Sequence, residues 1–296
     1  MYDITVFTPT YNRAYILPKL YQSLLRQEGD YSFEWLIIDD GSTDETEDLV
    51  KQWLRDKQVV IHYHKVSNGG KPRAINQAVA LARSPFLFIV DSDDYLSDDA
   101  LSFIMPYCRA IEEKADFVGV GILRGNEHLV PKKVPLFKIY VDATNLQRVD
   151  YALDVDCNEV YKVEILRKYP FEVWEGEVFI PEAVVFNEMA LDGYKLRWCN
   201  KVAVISEYLQ DGMTKGGWGL MKRNPMGYAM MFNHQLKYQR GCRERFNSTV
   251  QMICHAFIGG HLEYLKNSND KLLTLFCFPL GLLIAARRMR QYRREE

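Results

Sequence analysis

Three aspartates, Asp91, Asp93 and Asp94, surround Ser92 directly after the run Phe86-Leu87-Phe88-Ile89-Val90. Carboxylates this close repel one another unless a cation or a hydrogen-bond network lies among them. Their ligand atoms are all oxygens, which suits a hard divalent cation, and such a cation can hold a diphosphate. The plainer explanation is an acidic cap on the next helix, for which Ser97, Asp98 and Asp99 are also available. The apolar run ahead of the tetrad has the aromatic and β-branched make-up of a strand buried in a parallel sheet. In open α/β sheets, ligands collect at the carboxyl ends of such strands.

Two further polar segments follow apolar runs. Thr8-Pro9-Thr10-Tyr11-Asn12-Arg13 comes after Ile4 to Phe7, and Asp39-Asp40-Gly41-Ser42-Thr43-Asp44 comes after Phe33 to Ile38. Each alone is a good turn or cap sequence. At successive ends of adjacent parallel strands they would open on one rim with the aspartate tetrad. A fourth segment, Asn68-Gly69-Gly70-Lys71-Pro72-Arg73, precedes a helix. Its glycines permit close backbone approach, a helix N-terminus attracts anions, and Lys71 and Arg73 suit phosphate. Its spacing, and the lack of a following Ser or Thr, distinguish it from a Walker A loop.

The elements that must position these residues alternate. Strands are expected at 4–7, 33–38, 59–64 and 86–90, with helices at 15–27, 43–54, 71–82 and 98–113. Ser42 or Thr43 would cap the second helix. This alternation predicts βαβ units and an α/β fold, with a mostly parallel central sheet flanked by helices. Beyond Asp116, strands are expected at 117–123, 134–141 and 202–208, and helices at 163–168 and 182–191, the latter ended by Gly193. Helices at 224–240, 243–266 and 270 to the end would form a helical C-terminal appendage. The expected domains are 1–212 for the α/β core and 213–296 for the helical region. Asp211 to Gly219 is rich in glycine and reads equally as a mobile loop over a ligand or an ordinary connection.

The chain of 296 residues is 48% hydrophobic and 26% charged, as folded proteins are, and its net charge of -2 gives no global attraction to nucleic acid. Its six cysteines are scattered without a CxxC pair, which argues against a zinc site or a disulfide framework and suits a reducing compartment. The start, Met1-Tyr2-Asp3-Ile4, lacks the pattern of a signal peptide, so a cytoplasmic location is expected. His62 and His64 share one face of a strand and read as structural or solvated rather than as metal ligands.

Taken together, the four polar segments resemble the family 2 glycosyltransferases of the GT-A (Rossmann-like) fold, of the type that builds bacterial cell-surface polysaccharide. They stand in the family's order and spacing over about the first 110 residues. The resemblance implies a nucleotide-binding half over about 1–115 and an acceptor half over about 116–212. It implies transfer, with inversion, of a single sugar from a nucleotide-sugar, most of all a UDP-sugar, to a hydroxyl of a glycan or lipid-linked acceptor, with Mg2+ or Mn2+ as cofactor. Thr8, Tyr11 and Arg13 would line the nucleotide pocket, and Asp39 or Asp40 would accept a hydrogen bond from the base. Lys71 would lie near the base or the diphosphate, and Ser92 would belong to the donor site. Asp93 would bind the metal, and Asp91 would contact the ribose, the metal or its water shell.

The family often carries its general base in a Glu-Asp pair ahead of a helix that ends near Gly-Tyr-Lys. Gly193-Tyr194-Lys195 supplies that turn, and counting back reaches Pro181-Glu182. The pair itself is absent. Glu175, Glu177 and Glu182 are the candidates, with Glu182 placed ahead of Glu177. No Gln-x-x-Arg-Trp motif of the processive members is present, which favours transfer of one sugar. Two other readings stay open. A nucleotidyltransferase would carry a glycine-rich loop after the first strand, whereas Thr8 to Arg13 has no glycine. A non-catalytic, glycan-binding, membrane-associated protein would keep the core alone.

Leu272 to Ala286 is almost wholly apolar and runs into Arg287, Arg288, Arg290, Arg293 and Arg294. It is too short for the roughly 20 apolar residues of a span, and Pro279 and Gly281 weaken it as a regular helix. The pattern predicts peripheral attachment at the inner-membrane surface, with anionic lipid as the partner.

Overall fold

The computed structural model describes residues 2–206 and 217–292. Most of the glycine-rich segment 211–219 lies outside these residues, as do Arg293 and Arg294. The chain divides into two compact units, Met1–Pro170 with Phe186–Leu209, and Phe171–Val185 with Gln210–Glu296.

The first unit is built on a sheet of β1 (Ile4–Thr10), β2 (Phe33–Asp39), β3 (Ile61–Lys65), β4 (Phe86–Ile89), β5 (Asp94–Leu96), β6 (Phe117–Gly125), β7 (Tyr140–Ala143), β8 (Cys157–Lys162) and β9 (Lys195–Ser206). The order is β3-β2-β1-β4-β8-β6-β9-β5, with β7 paired to β9. β3, β2, β1 and β4 are parallel, and β8 runs antiparallel to β4 on one side and to β6 on the other. This is the expected mostly parallel sheet, flanked by α1 (Leu17–Leu25), α2 (Thr46–Asp56), α3 (Lys71–Leu81), α4 (Ala100–Ile111) and the short α5 (Val163–Leu166). α1 buries Leu17, Leu20, Tyr21 and Leu24, the spacing of one helical face. There Tyr21 stacks on Trp53 of α2 at 4.3 Å, and Trp53 on Trp35 of β2 at 5.7 Å.

Several expectations need correction. β5 and β8 were not foreseen. β7 lies at the end of the stretch 134–141 and runs past it. β9 starts at Lys195 rather than 202. α2 starts at Thr46, beyond Ser42 and Thr43. The helix α6 (Ala183–Leu191) is followed by Gly193 at φ +89, a conformation that favours glycine, as expected for its end.

The second unit contains α7 (Gly217–Arg223), α8 (Pro225–Gln235), α9 (Cys242–Ile258), a 3-10 turn over Leu262–Asn267, and α10 (Lys271–Tyr292). α10 runs unbroken through Pro279 and Gly281, contrary to expectation. At 22 residues it is long and apolar enough to cross a membrane by length and composition, which corrects the estimate of its reach. Thr274, Cys277, Gly281 and Ala285 are buried. Gly281 is required for the approach to α9, because a Cβ there would lie 2.5 Å from Ile253 Cγ2. Leu272, Leu275, Phe276 and Leu283 remain 84%, 76%, 76% and 67% exposed.

Candidate functional site

The carboxyl ends of β1, β2 and β4 lie side by side, with Thr10 in register with Asp39 and the Val90 N–H donating to the Phe7 carbonyl. The loop after β1 turns at Asn12, whose φ of 52° is left-handed, a conformation asparagine tolerates better than most side chains. The Asn12 N–H donates to Ser42 Oγ (2.9 Å), and its Oδ1 accepts from the Thr43 N–H (2.7 Å). Ser42 and Thr43 thus join two loops, which is why neither caps α2. Asp44 receives the Thr46 N–H at that helix start, and also the Ala14 N–H at 3.0 Å.

The loop before α3 is drawn in by Asp40, whose two carboxylate oxygens accept the N–H groups of Gly69 (2.7 Å) and Gly70 (2.8 Å). Burial raises the Asp40 pKa, and these two bonds oppose that rise. Gly41, at φ +84, allows the contact, since a Cβ there would lie 3.1 Å from the Asn68 nitrogen. Lys71, the first residue of α3, then reaches Asp91 Oδ1 at 2.6 Å. A continuous chain of contacts therefore links all four polar segments.

Among the described residues, Asp91, Asp93 and Asp94 are the group able to hold a metal ion, each offering an oxygen within 4.8 Å of the others. Their environments differ. Burial pushes the Asp91 pKa up, but Lys71 and Arg124 outweigh it and hold the carboxyl down at about 2. Asp93 is raised by burial and by the Asp91 charge, with Arg13 and Arg124 countering. Asp94 is buried beneath them, and burial drives its pKa up to about 8 against the pull of Arg124. A hard cation fits this donor set, which presents carboxylate oxygens that otherwise repel one another.

Arg124, at the end of β6, was missed by sequence reasoning. Its Nη2 lies 2.8 Å from Asp94 Oδ2, an ion pair without a well-aligned hydrogen bond, and 3.5 Å from Asp91 Oδ2. Its Nε donates to Asn158 Oδ1 (2.9 Å), and Asn158 Nδ2 donates to the Ile89 carbonyl (3.0 Å). The available signal was a lone arginine closing the apolar run Phe117 to Leu123.

Thr8 is fully buried, and its hydroxyl accepts from Trp35 Nε1 at 3.0 Å, which braces β1 from within. Tyr11 is 47% exposed, and Asn12 and Arg13 beside it are half-buried. Asp39 is fully buried, accepting the Ser42 N–H (2.7 Å) and the Tyr63 hydroxyl. Ser92 is buried between the aspartates. His62 on the edge strand lies 3.2 Å from the buried Glu34, a structural contact.

Glu177 and Glu182 belong to the second unit. There the Glu177 carboxylate accepts the N–H groups of Met226 and Gly227, both at 2.7 Å, at the start of α8. Glu182 directly precedes α6 and is half-buried.

A family model described as glycosyl transferase family 2 matches residues 5–169. The chain is 25% identical over 209 residues, 70% of its length, to the poly(ribitol-phosphate) beta-N-acetylglucosaminyltransferase TarS of Staphylococcus aureus. It is 32% identical over 170 residues, 56% of its length, to a poly(ribitol-phosphate) beta-glucosyltransferase of Bacillus spizizenii. It spans only 35% and 26% of the lengths of these two relatives. Among solved structures, S. aureus TarS 1-349 in complex with UDP aligns with a TM-score of 0.60 and 16% identity, over 99% of this chain and 92% of that one. The mannosyltransferase PcManGT of Pyrobaculum calidifontis, in complex with GDP-Man and Mn2+, aligns at 0.53 and 16% identity, over 98% and 83%. At such identities the likeness speaks for the fold, a GT-A-like mixed sheet with C-terminal helices.

Proposed function

Because the chain belongs to glycosyl transferase family 2, we propose that it moves a single sugar, with inversion, from a nucleotide-sugar to a hydroxyl of a glycan or lipid-linked acceptor. The observation that carries this reading is the Lys71–Asp91 contact, which joins the other polar loops to the group of three aspartates. Tyr11 and Arg13 face the donor. Asp39 and Asp40 keep carboxylate lone pairs beyond the bonds they accept within the chain, and one of them receives the N–H of the base. A uracil base is the first choice, since a related fold is known with UDP. Asp93 and Asp91 would hold Mg2+ or Mn2+, whose contribution when bound is charge neutralisation at the leaving diphosphate. Lys71 and Arg13 add fixed positive charge on the same side.

Glu182 is the general base, taking the proton of the acceptor hydroxyl as the new bond forms. Glu177 is less suited, because both its oxygens already accept backbone N–H groups. The displacement passes through an oxocarbenium-like transition state.

The protein works at the cytoplasmic face of the membrane, attached peripherally through α10. One face of that helix is buried and the other exposes leucines and Phe276 ahead of the exposed Arg287 and Arg290, the pattern of a helix lying in the interface.

The test is thermal unfolding with nucleoside diphosphates and nucleotide-sugars, with and without Mn2+. A ligand at 100 times its Kd should add about 2.7 kcal/mol of stability. One nucleotide should stabilise selectively, more so with Mn2+, and Asp93→Ala should remove the Mn2+-dependent part. Indifference to every nucleotide would sink the proposal.

A further inference from the structure

The second unit carries a groove whose lining includes none of the residues given a role in transfer above. Its volume is about 740 Å³, within the range of about 300–1,000 Å³ usual for small-molecule sites. Residues 172–175, α8 and the 3-10 turn Leu262–Asn267 form its walls. Trp174 is half-buried and leans on a small core of Met226, Ala229 and Ala256, so its ring is anchored behind. The Tyr264 ring stands at 89° to it with centroids 5.7 Å apart, and the His261 ring lies 5.0 Å away. Tyr264 is fixed in turn, because its hydroxyl accepts from Asn233 Nδ2 at 3.1 Å. His261 Nδ1 is 2.7 Å from Glu263 Oε1. The aromatic wall is therefore built before any ligand arrives.

The charge of the lining narrows the ligand. Glu172, Glu175 and Glu263 contribute carboxylates, and no lysine or arginine lines the groove among the described residues. A phosphate or uronate chain would meet only repulsion there. Carboxylates accept hydrogen bonds from pairs of hydroxyl groups, and an indole face covers the C–H face of a pyranose ring. A single ammonium group would leave most of the volume empty.

We infer that this groove is a binding site for an uncharged pyranose unit of a glycan, built from residues other than those proposed to act in sugar transfer. The inference rests on the transferase reading only for the source of that glycan, an acceptor chain.

The experiment uses the full chain with cellohexaose, maltohexaose and chitohexaose as neutral probes and hexagalacturonate as the anionic control. Binding is followed by saturation-transfer NMR and calorimetry. At least one neutral probe should bind, and hexagalacturonate should bind about tenfold more weakly or not at all. Trp174→Ala should weaken binding about tenfold or more, as truncating a central aromatic anchor does, while Trp174→Phe keeps most of it. The exposed double variant Glu172→Gln/Glu175→Gln, which leaves the core untouched, should also weaken it. Failure of all three neutral probes would overturn the inference, as would a control that binds equally or wild-type binding by Trp174→Ala. Donor hydrolysis, measured on the same samples, reports on the transferase reading separately. Hydrolysis without glycan binding refutes the groove alone, and glycan binding without hydrolysis refutes the transferase alone.

Discussion

Arg124→Met removes one of the two cations, with Lys71, that the chain itself supplies to its aspartates. The guanidinium lies 2.8 Å from Asp94 and 3.5 Å from Asp91. At pH 9, above the Asp94 pKa of about 8, both carboxylates are ionised, and at an effective dielectric constant of about 20 these separations correspond to roughly 6 and 5 kcal/mol of attraction. Desolvation offsets much of this, since the Arg124 and Asp94 side chains are only 20% and 2% exposed. The net loss on breaking one partner out of such a buried set is about 3–5 kcal/mol. Methionine keeps the length of the stem, so the loss reports charge and hydrogen bonding more than packing. Urea unfolding at pH 9 of wild type, Arg124→Met, Asp94→Asn and the double variant gives the pairwise energy directly. Removing both partners together should cost less than the two single losses combined, by about 2 kcal/mol or more. Additivity within about 0.5 kcal/mol would show that Arg124 is not the counter-charge of the cluster.

Asp93→Ala should lower turnover at saturating donor by about three orders of magnitude, the worth of several kcal/mol of charge stabilisation, without unfolding the protein; turnover within tenfold of wild type would exclude the metal role. Glu182→Gln should lower kcat by about 10²–10⁴ with nucleotide affinity kept. Glu177→Gln should instead keep turnover and cost about 1 kcal/mol in urea unfolding, as loss of an acceptor at a helix start does; the reverse pattern would exchange their roles. Burial, reinforced by the Arg288 charge, depresses the His255 pKa to about 3, so the folded state excludes a proton that the unfolded chain takes up below about 6.5. Stability should therefore fall as pH drops from about 6.5 toward 3, with this site contributing up to about 1.4 kcal/mol per unit, and His255→Gln should flatten that slope. Leu275→Ser with Phe276→Ser should weaken binding to vesicles containing anionic lipid by a hundredfold or more, from about 3 kcal/mol of lost apolar burial; unchanged co-sedimentation would remove α10 as the anchor.

The donor-side half of this architecture was legible because its signals are local. Apolar runs of β1, β2 and β4 end in polar turns, and parallel pairing of adjacent strands brings those turns together without further information. What stayed hidden depends on distant partners. Cys157-Asn158-Glu159-Val160-Tyr161-Lys162 reads as too polar for an inner strand, yet Asn158 and Lys162 satisfy the Ile89 and Lys114 carbonyls (3.0 and 2.7 Å) and so can be buried. Arg124 carries no local signal, because its partners Asp91, Asp94 and Asn158 lie 30 or more residues away along the chain. The partner of Thr8 was equally hidden, since nothing local shows that its hydroxyl accepts from the Trp35 indole N–H inside the fold. Ser42 and Thr43 have cap chemistry, and only the left-handed turn at Asn12 diverts them. At α10, sequence reasoning gave Pro279 and Gly281 their usual helix-breaking weight, whereas the fit of Gly281 against Ile253 favours an unbroken helix.

β4 lies between β1 and the antiparallel β8, with Phe86 opposite Lys162 and Phe88 opposite Val160. During synthesis its outer edge, Phe86-Leu87-Phe88-Ile89, has no cover until residues 157–162 have left the ribosome. An apolar strand with an unpaired edge is a template for another copy. A fragment cut near residue 115 would keep the donor loops yet expose that edge permanently, and would aggregate rather than serve as a minimal nucleotide-binding module. Synthesis must have passed Lys162 before the strand that leads to its aspartates is safe.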